Sequence, residues 1–455
     1  MTVDTIFAPA TARGRAGVAI VRLSGPRAAT ALTLLAGRLP EARRATRAAL
    51  RSPPSGPGPT GPGPEEGGEV LDDALVLWFP APASFTGEDV AELHIHGGRA
   101  VLAAVLGALG DLPGLRPAEA GEFSRRAFLN GRLDLTAAEA LADLVDAETQ
   151  AQRRQALRQA DGALVRLYEG WRKTGIGLLA HLEAVLDFPD EDLPPEVETA
   201  VRGGIGALAD ALAGHLDDRH RGERLRDGLQ VAVVGAPNVG KSSLVNRLAR
   251  REAAIVSDIA GTTRDIVEVA LDLGGYPLVV ADTAGLRETS DGIEAEGVRR
   301  ARARLAAADL TLAVSDGTVE NGADDPAADL TGEAVLRVVT KRDLLDPRAV
   351  ERWLARGALP VSTLTGEGLD ALEAALESRA RAFFEGDGTP ALTRQRHRSA
   401  LMEARAALRR AAEAPLAELV AEDLRLALRA IGRITGRVTV DDVLDVIFRD
   451  FCIGK

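Results

Sequence analysis

A glycine-rich segment in the middle of the chain has the residue types and spacing of a phosphate-binding loop. Gly235–Ser242 (GAPNVGKS) matches GxxxxGK[ST] and directly follows Leu229–Val234, an apolar run typical of a buried strand. Glycines let backbone N–H groups approach phosphates, the lysine neutralises charge on the β- and γ-phosphates, and the serine hydroxyl binds Mg²⁺. The segment therefore predicts a nucleoside triphosphate site with Lys241 on the phosphates and Ser242 on the metal ion.

Two segments further along have the character of nucleotide-sensing switches. Ala260–Asp265 (AGTTRD) is placed as the first switch, with Thr263 as the second Mg²⁺ ligand. Asp282–Gly285 (DTAG) ends an apolar run and is placed as the second switch, in which the Gly285 amide would sense the γ-phosphate. Both switches are expected to lie at the ends of strands.

Two later motifs would recognise the base. Thr340–Asp343 (TKRD) and Ser362-Thr363 each end an apolar run, and Asp343 would accept both donors on the guanine edge and so reject adenine. Thr340 stands where asparagine is usual, so guanine preference is expected to depend on Asp343. Four ordered motifs at strand ends predict a GTPase domain from about residue 228 to 380.

The residue that positions the attacking water is less directly indicated. Leu286 follows the DTAG motif where many small GTPases carry a glutamine, and leucine cannot orient water. The candidates on the same loop are Arg287, Glu288, Asp291, Glu294 and Glu296. No arginine finger is evident in the chain. Asn238 offers a carbonyl oxygen beside the phosphates that suits a potassium ion, although it could equally brace the loop.

The elements on either side of these motifs differ in character. Up to about residue 120, the apolar runs Gly17–Leu23 and Ala74–Phe79 alternate with turn residues and predict an α/β or α+β domain. The tract Ser52–Gly68 is rich in Pro and Gly and is predicted to be a mobile surface loop. Thr136 with Glu139 predicts a capping box at the start of a helical region.

Helical periodicity covers most of the remaining chain. The helical stretches run from Thr136 to Leu186, Glu196 to Arg226, Arg394 to Ile431 and Val443 to Phe451. They flank the GTPase segment on both sides. The simplest organisation is one helical domain with the GTPase domain inserted in a loop.

Composition restricts the class of protein. The chain has 455 residues, a net charge of −12 and one cysteine, Cys452, so it can form no internal disulfide bond. The negative charge argues against non-specific coating of nucleic acid. The arginines at 43, 44, 47 and 51 and at 153, 154, 158 and 166 are interpreted as solvated faces. With no signal pattern and no apolar stretch of ~20 residues, we expect a soluble, cytoplasmic protein.

Several short segments together resemble the MnmE (TrmE) family of tRNA modification GTPases, in the TrmE-Era-EngA-like superfamily. The resemblance covers almost the whole chain outside Ser52–Gly68. The segments that carry it, besides GTTRD and DTAG, are DTI at 4–6, GRAGV at 14–18, SFTGED at 84–89, GEFS at 121–124, AFLN at 127–130 and the terminal FCIGK at 451–455.

The resemblance implies a multidomain α/β and all-α architecture. Residues 1–120 would form a folate-binding, dimerising α/β domain, and residues 228–380 an inserted P-loop, Ras-like GTPase domain. The discontinuous helical domain would comprise residues 121–227 and 381–455, the second part ending in FCIGK.

The resemblance also implies an activity and partners. Together with the FAD-carrying flavoprotein MnmG, such proteins add an aminomethyl or carboxymethylaminomethyl group to carbon 5 of the wobble uridine of certain tRNAs. The one-carbon unit comes from a tetrahydrofolate derivative, either 5-formyl or 5,10-methylene. GTP hydrolysis is potassium-stimulated, the protein is a homodimer through its N-terminal domain, and a heterotetramer with MnmG is expected.

Site residues follow from the same resemblance. Glu294 would be the catalytic residue, and potassium would bind Asn238, Ser257, Ile259 and Thr262. Folate contacts fall on Arg22, Glu92, Arg132 and Lys455. The expected GTP-binding residues are Asn238, Val239, Gly240, Lys241, Ser242, Ser243, Ser257, Ile259, Thr262, Thr263, Asp282, Thr283, Ala284, Gly285, Thr340, Lys341, Asp343, Ser362, Thr363 and Leu364.

Other interpretations stay open at this point. A ribosome-assembly GTPase would share every nucleotide motif, and a folate-binding module with vestigial GTP hydrolysis would share the N-terminal segments. His94 and His96 share one strand face and suggest a metal ion, but two ligands without a third favour a polar strand face. The role of Cys452 is undetermined.

Overall fold

The computed structural model describes residues 4–12, 14–53, 68–187, 195–251, 268–282, 308–319, 330, 332, 334–385, 390–437, 447–448, 451 and 454. The chain divides into two compact units, residues 1–142 with 432–455, and residues 143–431. The predicted tract Ser52–Gly68 and the predicted helix Val443–Phe451 lie mostly outside the described residues.

The first unit contains a six-stranded mixed sheet. Its strands are β1 (Thr5–Pro9), β2 (Ala19–Ser24), β3 (Thr46–Arg51), β4 (Val70–Phe79), β5 (Val90–Ile95) and β6 (Leu115–Pro117). They lie in the order β3-β4-β5-β2-β1-β6, and the β1–β6 pair is parallel while the other pairs are antiparallel. The apolar runs Gly17–Leu23 and Ala74–Phe79 lie mostly within β2 and β4.

Helices cover both faces of this sheet. They are α1 (Ala28–Ala36), α2 (Arg99–Gly110) and α3 (Glu122–Leu129). A fourth helix, α4 (Leu135–Asp146), packs with Phe448 and Phe451. Successive strand residues point to opposite faces. In β1, Phe7 therefore joins the core with α1 and α2, whereas Ile6 packs with Phe123 of α3. This arrangement brings the start of α3 against the face that carries the N-terminal motifs.

The second unit contains a sheet whose strands are almost all parallel. They are β7 (Leu229–Val234), β8 (Glu268–Leu273), β9 (Tyr276–Asp282), β10 (Leu310–Asp316), β11 (Val335–Thr340) and β12 (Ala358–Pro360). The order is β12-β11-β10-β7-β9-β8, with β8 antiparallel to β9. This sheet contains the strands predicted to precede the nucleotide motifs.

Nine helices of this unit lie within the described part of the chain. They are α5 (Gln150–Ala160), α6 (Ala163–Asp187), α7 (Pro195–Leu216), α8 (Arg221–Asp227), α9 (Lys241–Ala249), α10 (Pro347–Ala355), α11 (Leu369–Phe384), α12 (Gln395–Glu413) and α13 (Ala417–Thr435). Each long predicted stretch is broken into shorter helices. One interruption separates α12 from α13 and contains Pro415, which cannot donate a backbone hydrogen bond.

The predicted capping box at Thr136 is wrong. Thr136 lies inside α4, and the carboxylate of Asp134 accepts the backbone N–H groups of Thr136 and Ala137 at 2.8 and 3.0 Å. The reciprocal capping box is at the next helix, where Thr149 and Gln152 exchange side-chain and backbone hydrogen bonds. Aspartate and threonine both cap helices well, so local pattern alone does not choose between adjacent candidates.

A buried cluster of aromatic rings and imidazoles ties the helices of this unit together. Tyr168 is fully buried, and the rings of His215 and His397 meet it edge-on. Burial lowers the pKa of His215 to about 4, although Asp218 acts in the opposite direction. Arg398 of α12 donates to the Leu216 carbonyl and to the Asp218 carboxylate, which fixes the turn that leads into α8.

Candidate nucleotide-binding site

The nucleotide motifs gather at one edge of the parallel sheet. The phosphate-binding loop follows β7, Asp282 ends β9, Asp316 ends β10, Thr340 ends β11 and Ser362 follows β12. Because parallel strands present their carboxyl ends at the same edge, segments far apart in sequence meet there. The tertiary structure therefore brings the described motifs, the phosphate-binding loop and the two base-recognition segments, to one edge of the sheet.

The path of the phosphate-binding loop requires unusual backbone conformations. Gly240, which precedes α9, has φ of 95°, and Asn238 has φ of 62°. Gly235 lies so close to β10 that a Cβ atom there would be 2.1 Å from the Val314 carbonyl oxygen. These positions explain why the loop needs glycine at two places and why its backbone can approach a phosphate.

Lys241 is the first residue of α9 and is held by the loop itself. Its ammonium group donates to the carbonyl oxygens of Gly235 at 2.9 Å and Ala236 at 2.7 Å. Ser242 and Ser243 follow it and are exposed. A helix N-terminus with a lysine and exposed hydroxyls is suited to bind anionic phosphates.

Asp343 is exposed at the predicted base-recognition edge, and a hydrogen bond from a buried residue, Ser362, holds its carboxylate. The Ser362 hydroxyl donates to its carboxylate at 2.5 Å and itself accepts the Thr365 N–H at 3.1 Å. Ser362 is fully buried, Thr363 is half-buried and Leu364 is 79% exposed. Ser362 therefore orients the carboxylate from behind, while Asp343 and Leu364 face outward.

Lys341 is tied to the end of β10. Its ammonium group lies 2.5 Å from the Asp316 carboxylate. Burial raises the pKa of Asp316, but the hydrogen bonds from Lys341 and Thr318 outweigh it, so this pKa lies below its ordinary value. The ion pair fixes the Lys341 ammonium group beside the end of β10.

Thr340, where asparagine is usual, is 1% exposed. Its hydroxyl lies 2.6 Å from the Val239 carbonyl oxygen and 3.2 Å from that of Ser315. Its own carbonyl accepts the Gly317 N–H at 3.1 Å. Thr340 thus connects the phosphate-binding loop with the ends of β10 and β11.

Part of the predicted site lies outside the described residues. This applies to Ser257, Ile259, Thr262, Thr263, Thr283, Ala284, Gly285, Glu294, Cys452 and Lys455, and to the other candidates on the second switch. These assignments stay predictions.

A second group of predicted residues meets in the first unit. Arg22 of β2 and Glu92 of β5 are register partners, and their side chains form an ion pair at 2.9 Å. The Arg22 guanidinium lies 5.5 Å from the centre of the Phe85 ring and 6.0 Å from that of Phe123. His94 is 3.2 Å from the other oxygen of Glu92. Cationic, anionic and aromatic groups therefore meet here, with the Phe123 ring fully buried.

Arg132, a further predicted folate residue, lies in less enclosed surroundings, whereas Lys455 is outside the described residues. Arg132 is exposed, and a Cβ added to Gly87 would lie 3.2 Å from its Cγ. Gly454, which precedes Lys455, packs on the Pro9 carbonyl, 2.1 Å from where its Cβ would be. The SFTGED loop and the chain terminus are thereby fixed close to other N-terminal elements.

Sequence reasoning did not single out Arg126, which connects three of the short motifs. It is 3% exposed and forms ion pairs with Asp4, Glu88 and Glu122 at 3.0 to 3.1 Å. Burial opposes the charge on Glu122, but hydrogen bonds from Arg116 and Arg126 hold its pKa below the ordinary value. A partial signal was present, because each motif contains an acidic residue and Arg126 lies two residues after the GEFS segment.

Two negative findings concern only the part of the chain that is described. Within it, no group of three metal-ligating side chains occurs, so the two strand histidines have no third ligand there. His96 instead lies 2.8 Å from the Asp72 carboxylate. The helices seen there are too short or too polar to cross a lipid bilayer.

The parallel sheet, the phosphate-binding loop between β7 and α9, and the guanine motif after β11 define a P-loop GTPase. Residues 135–452 match the profile of the MnmE helical domain, and residues 5–132 match that of the GTP-binding protein TrmE N-terminus. The chain belongs to the family of the tRNA modification GTPase MnmE and is a GTPase of that family.

Full-length relatives support the same assignment. The tRNA modification GTPase MnmE of Paramagnetospirillum magneticum is 57% identical over 99% of this chain and 100% of its own length. That of Parvibaculum lavamentivorans is 56% identical, again over 99% and 100%. Among solved structures, Aquifex aeolicus Era bound to GDP and AlF4⁻ is 26% identical, with a TM-score of 0.27, over 39% of this chain and 66% of that one.

Proposed function

We propose that this chain is the GTPase of a tRNA-modifying complex. With MnmG, it adds an aminomethyl or carboxymethylaminomethyl group to carbon 5 of the wobble uridine of certain tRNAs. The observation that carries the proposal is the match of relatives named tRNA modification GTPase MnmE over 99% of the chain. A ribosome-assembly GTPase would not be expected to match the N-terminal profile over residues 5–132.

The nucleotide would bind along the sheet edge described above. Lys241 would exchange its carbonyl partners for the β- and γ-phosphates, and Ser242 with Thr263 would hold Mg²⁺. The exposed position of Ser242 at the helix start fits a metal-bound phosphate. Asp343 would accept the two donors of the guanine edge, supported by Ser362.

Hydrolysis would depend on a water-positioning residue and a cation. Glu294 would position water, and potassium would bind Asn238 with Ser257, Ile259 and Thr262. The exposed Asn238 side chain and its left-handed backbone support such a site beside the phosphates. A bound cation supplies positive charge where another GTPase uses arginine. A wild-type rate in Glu294→Ala, or equal rates in potassium and sodium, would contradict these assignments.

A tetrahydrofolate derivative would bind on the surface formed by Arg22, Glu92 and the partly exposed ring of Phe85. A carboxylate can accept the N–H donors of a pterin, and an aromatic ring can stack on its flat face. Arg132 and Lys455 would bind the acidic end of the folate. We further propose a cytoplasmic homodimer, formed through the N-terminal domain, that assembles with MnmG into a heterotetramer.

The decisive experiment is mass spectrometry of tRNA nucleosides from cells with and without the gene. Deletion should remove the 5-substituted wobble uridine, and the wild-type gene should restore it. Lys241→Ala should not restore it, because the phosphates lose their cation. Lys173→Ala, which changes an exposed lysine of α6, is the matched control and should restore it. Unchanged tRNA on deletion would refute the proposed function.

A further inference from the structure

We propose that Thr340 is a positioning residue that holds the phosphate-binding loop and forms no hydrogen bond with the guanine base. Base recognition then depends on the guanine edge that hydrogen-bonds to Asp343, and residue 340 forms no hydrogen bond with the N7 atom of guanine. The inference rests on the proposed function, because it takes Asp343 to bind that edge.

The hydrogen-bonding capacity of the Thr340 side chain is already in use. A threonine hydroxyl has one proton to donate. The acceptors within reach are the backbone carbonyl oxygens of Val239 at 2.6 Å and Ser315 at 3.2 Å. A carbonyl cannot donate in return, so the proton must point to one of these two oxygens. No proton is left for an acceptor on the base.

Burial also prevents the Thr340 side chain from contacting the base. The Thr340 side chain is 1% exposed, and a Cβ on Gly240 would lie 3.6 Å from its methyl group. An atom that contacts a ligand in a surface crevice must be accessible before the ligand binds. Asp343 meets that condition, and the Lys341 side chain is 41% exposed. Thr340 does not.

Threonine differs from asparagine in the number of N–H or O–H donors on its side chain. An asparagine amide has two N–H donors, so it can brace the loop and donate to the base together. Threonine can do only the first. Guanine N7 lies on the side of the purine away from N1–H and the 2-amino group. A nucleotide with carbon at position 7 should therefore bind this chain as well as the natural one.

The test compares the affinities of the full-length chain for three nucleotides by competition with a fluorescent GDP. We expect 7-deaza-GDP to bind within about twofold of GDP, since no bond to N7 is lost. Inosine diphosphate lacks the 2-amino donor to Asp343 and should bind about tenfold more weakly or worse.

Variants separate bracing from base recognition. Thr340→Val removes the hydroxyl with little change in shape, so GDP and 7-deaza-GDP should both weaken by the same factor, about tenfold. Thr340→Asn supplies a second donor, and 7-deaza-GDP should then bind about fivefold more weakly than GDP. Thr311→Val, the same change at the opposite end of the sheet, should alter neither affinity.

The wild-type ratio decides the inference even if a variant does not fold. Tenfold weaker binding of 7-deaza-GDP than of GDP to the wild-type chain would overturn it. A Thr340→Val protein that loses affinity for GDP but not for 7-deaza-GDP would also overturn it. Equal affinities for GDP and inosine diphosphate would instead contradict the role of Asp343, and a folded chain that binds no GDP would refute the proposed function itself.

Discussion

Asp343→Asn should change the base preference of the nucleotide site rather than merely weaken it. The Ser362 oxygen accepts the Thr365 N–H, and the Ser362 proton points to residue 343 across 2.5 Å. In the variant, the amide oxygen should turn towards that proton. The amide NH2 group then faces the base, where guanine also presents donors.

The magnitude follows from the two hydrogen bonds that are lost. A hydrogen bond to a charged acceptor contributes about 1.5–3 kcal/mol. Two such bonds amount to about 3–6 kcal/mol, which corresponds to a 10²- to 10⁴-fold loss of GDP affinity. Xanthine has a carbonyl oxygen in place of the 2-amino group, so xanthosine diphosphate should bind the variant more tightly than it binds the wild type.

The assay is the dissociation constant of each diphosphate for both proteins, measured by competition. Asp217→Asn, at an exposed aspartate after α7, is the matched control and should leave both constants unchanged. An equal loss for both nucleotides would refute the reasoning, because it would mean that the carboxylate holds the loop rather than the base. An unchanged GDP constant would refute it as well.

Two further predictions concern the folded state. Histidine in the unfolded chain takes up a proton below about pH 6.5, whereas His215 in the folded protein takes one up only near pH 4. The contribution of His215 to the unfolding free energy is therefore full above pH 6.5 and is lost as the pH falls towards 4. Between pH 7 and 4, wild type should lose about 3 kcal/mol more unfolding free energy than His215→Phe in urea titrations, and equal losses would contradict this. Arg126→Met leaves three carboxylates without their shared partner and should lower the unfolding free energy by about 3–5 kcal/mol. Arg99→Met, at an exposed arginine, should change it by less than about 0.5 kcal/mol, and similar effects of the two changes would be evidence against a structural role for the buried network.

The nucleotide loop could be predicted because its requirements are local. Glycine, lysine and serine must stand at set intervals after a strand, and Gly235–Ser242 meets them within eight residues. The strands β2 and β4 were predictable for the same reason, since their apolar runs lie within single segments. The family resemblance, which short segments carry, is confirmed by relatives that match over 99% of the chain.

Helix starts were less predictable because several residues near them have side chains that can cap a helix. Asp134, Thr136 and Thr149 all have side chains that can accept a backbone N–H. Asp134 and Thr149 are used, and Thr136 lies within a helix. The choice depends on which helix packs best, and neighbouring side chains do not encode that.

The sequence by itself determined the chemistry of the chain, because a phosphate-binding loop and a guanine motif are read from adjacent residues. Only the tertiary structure decided how these groups are supported. Thr340 reaches the Val239 carbonyl across 101 positions, and Arg126 reaches Asp4 across 122. Partners so distant are set by the register of strands and the packing of helices. The physical reason is that a hydrogen bond depends on distance in space, which local periodicity does not specify.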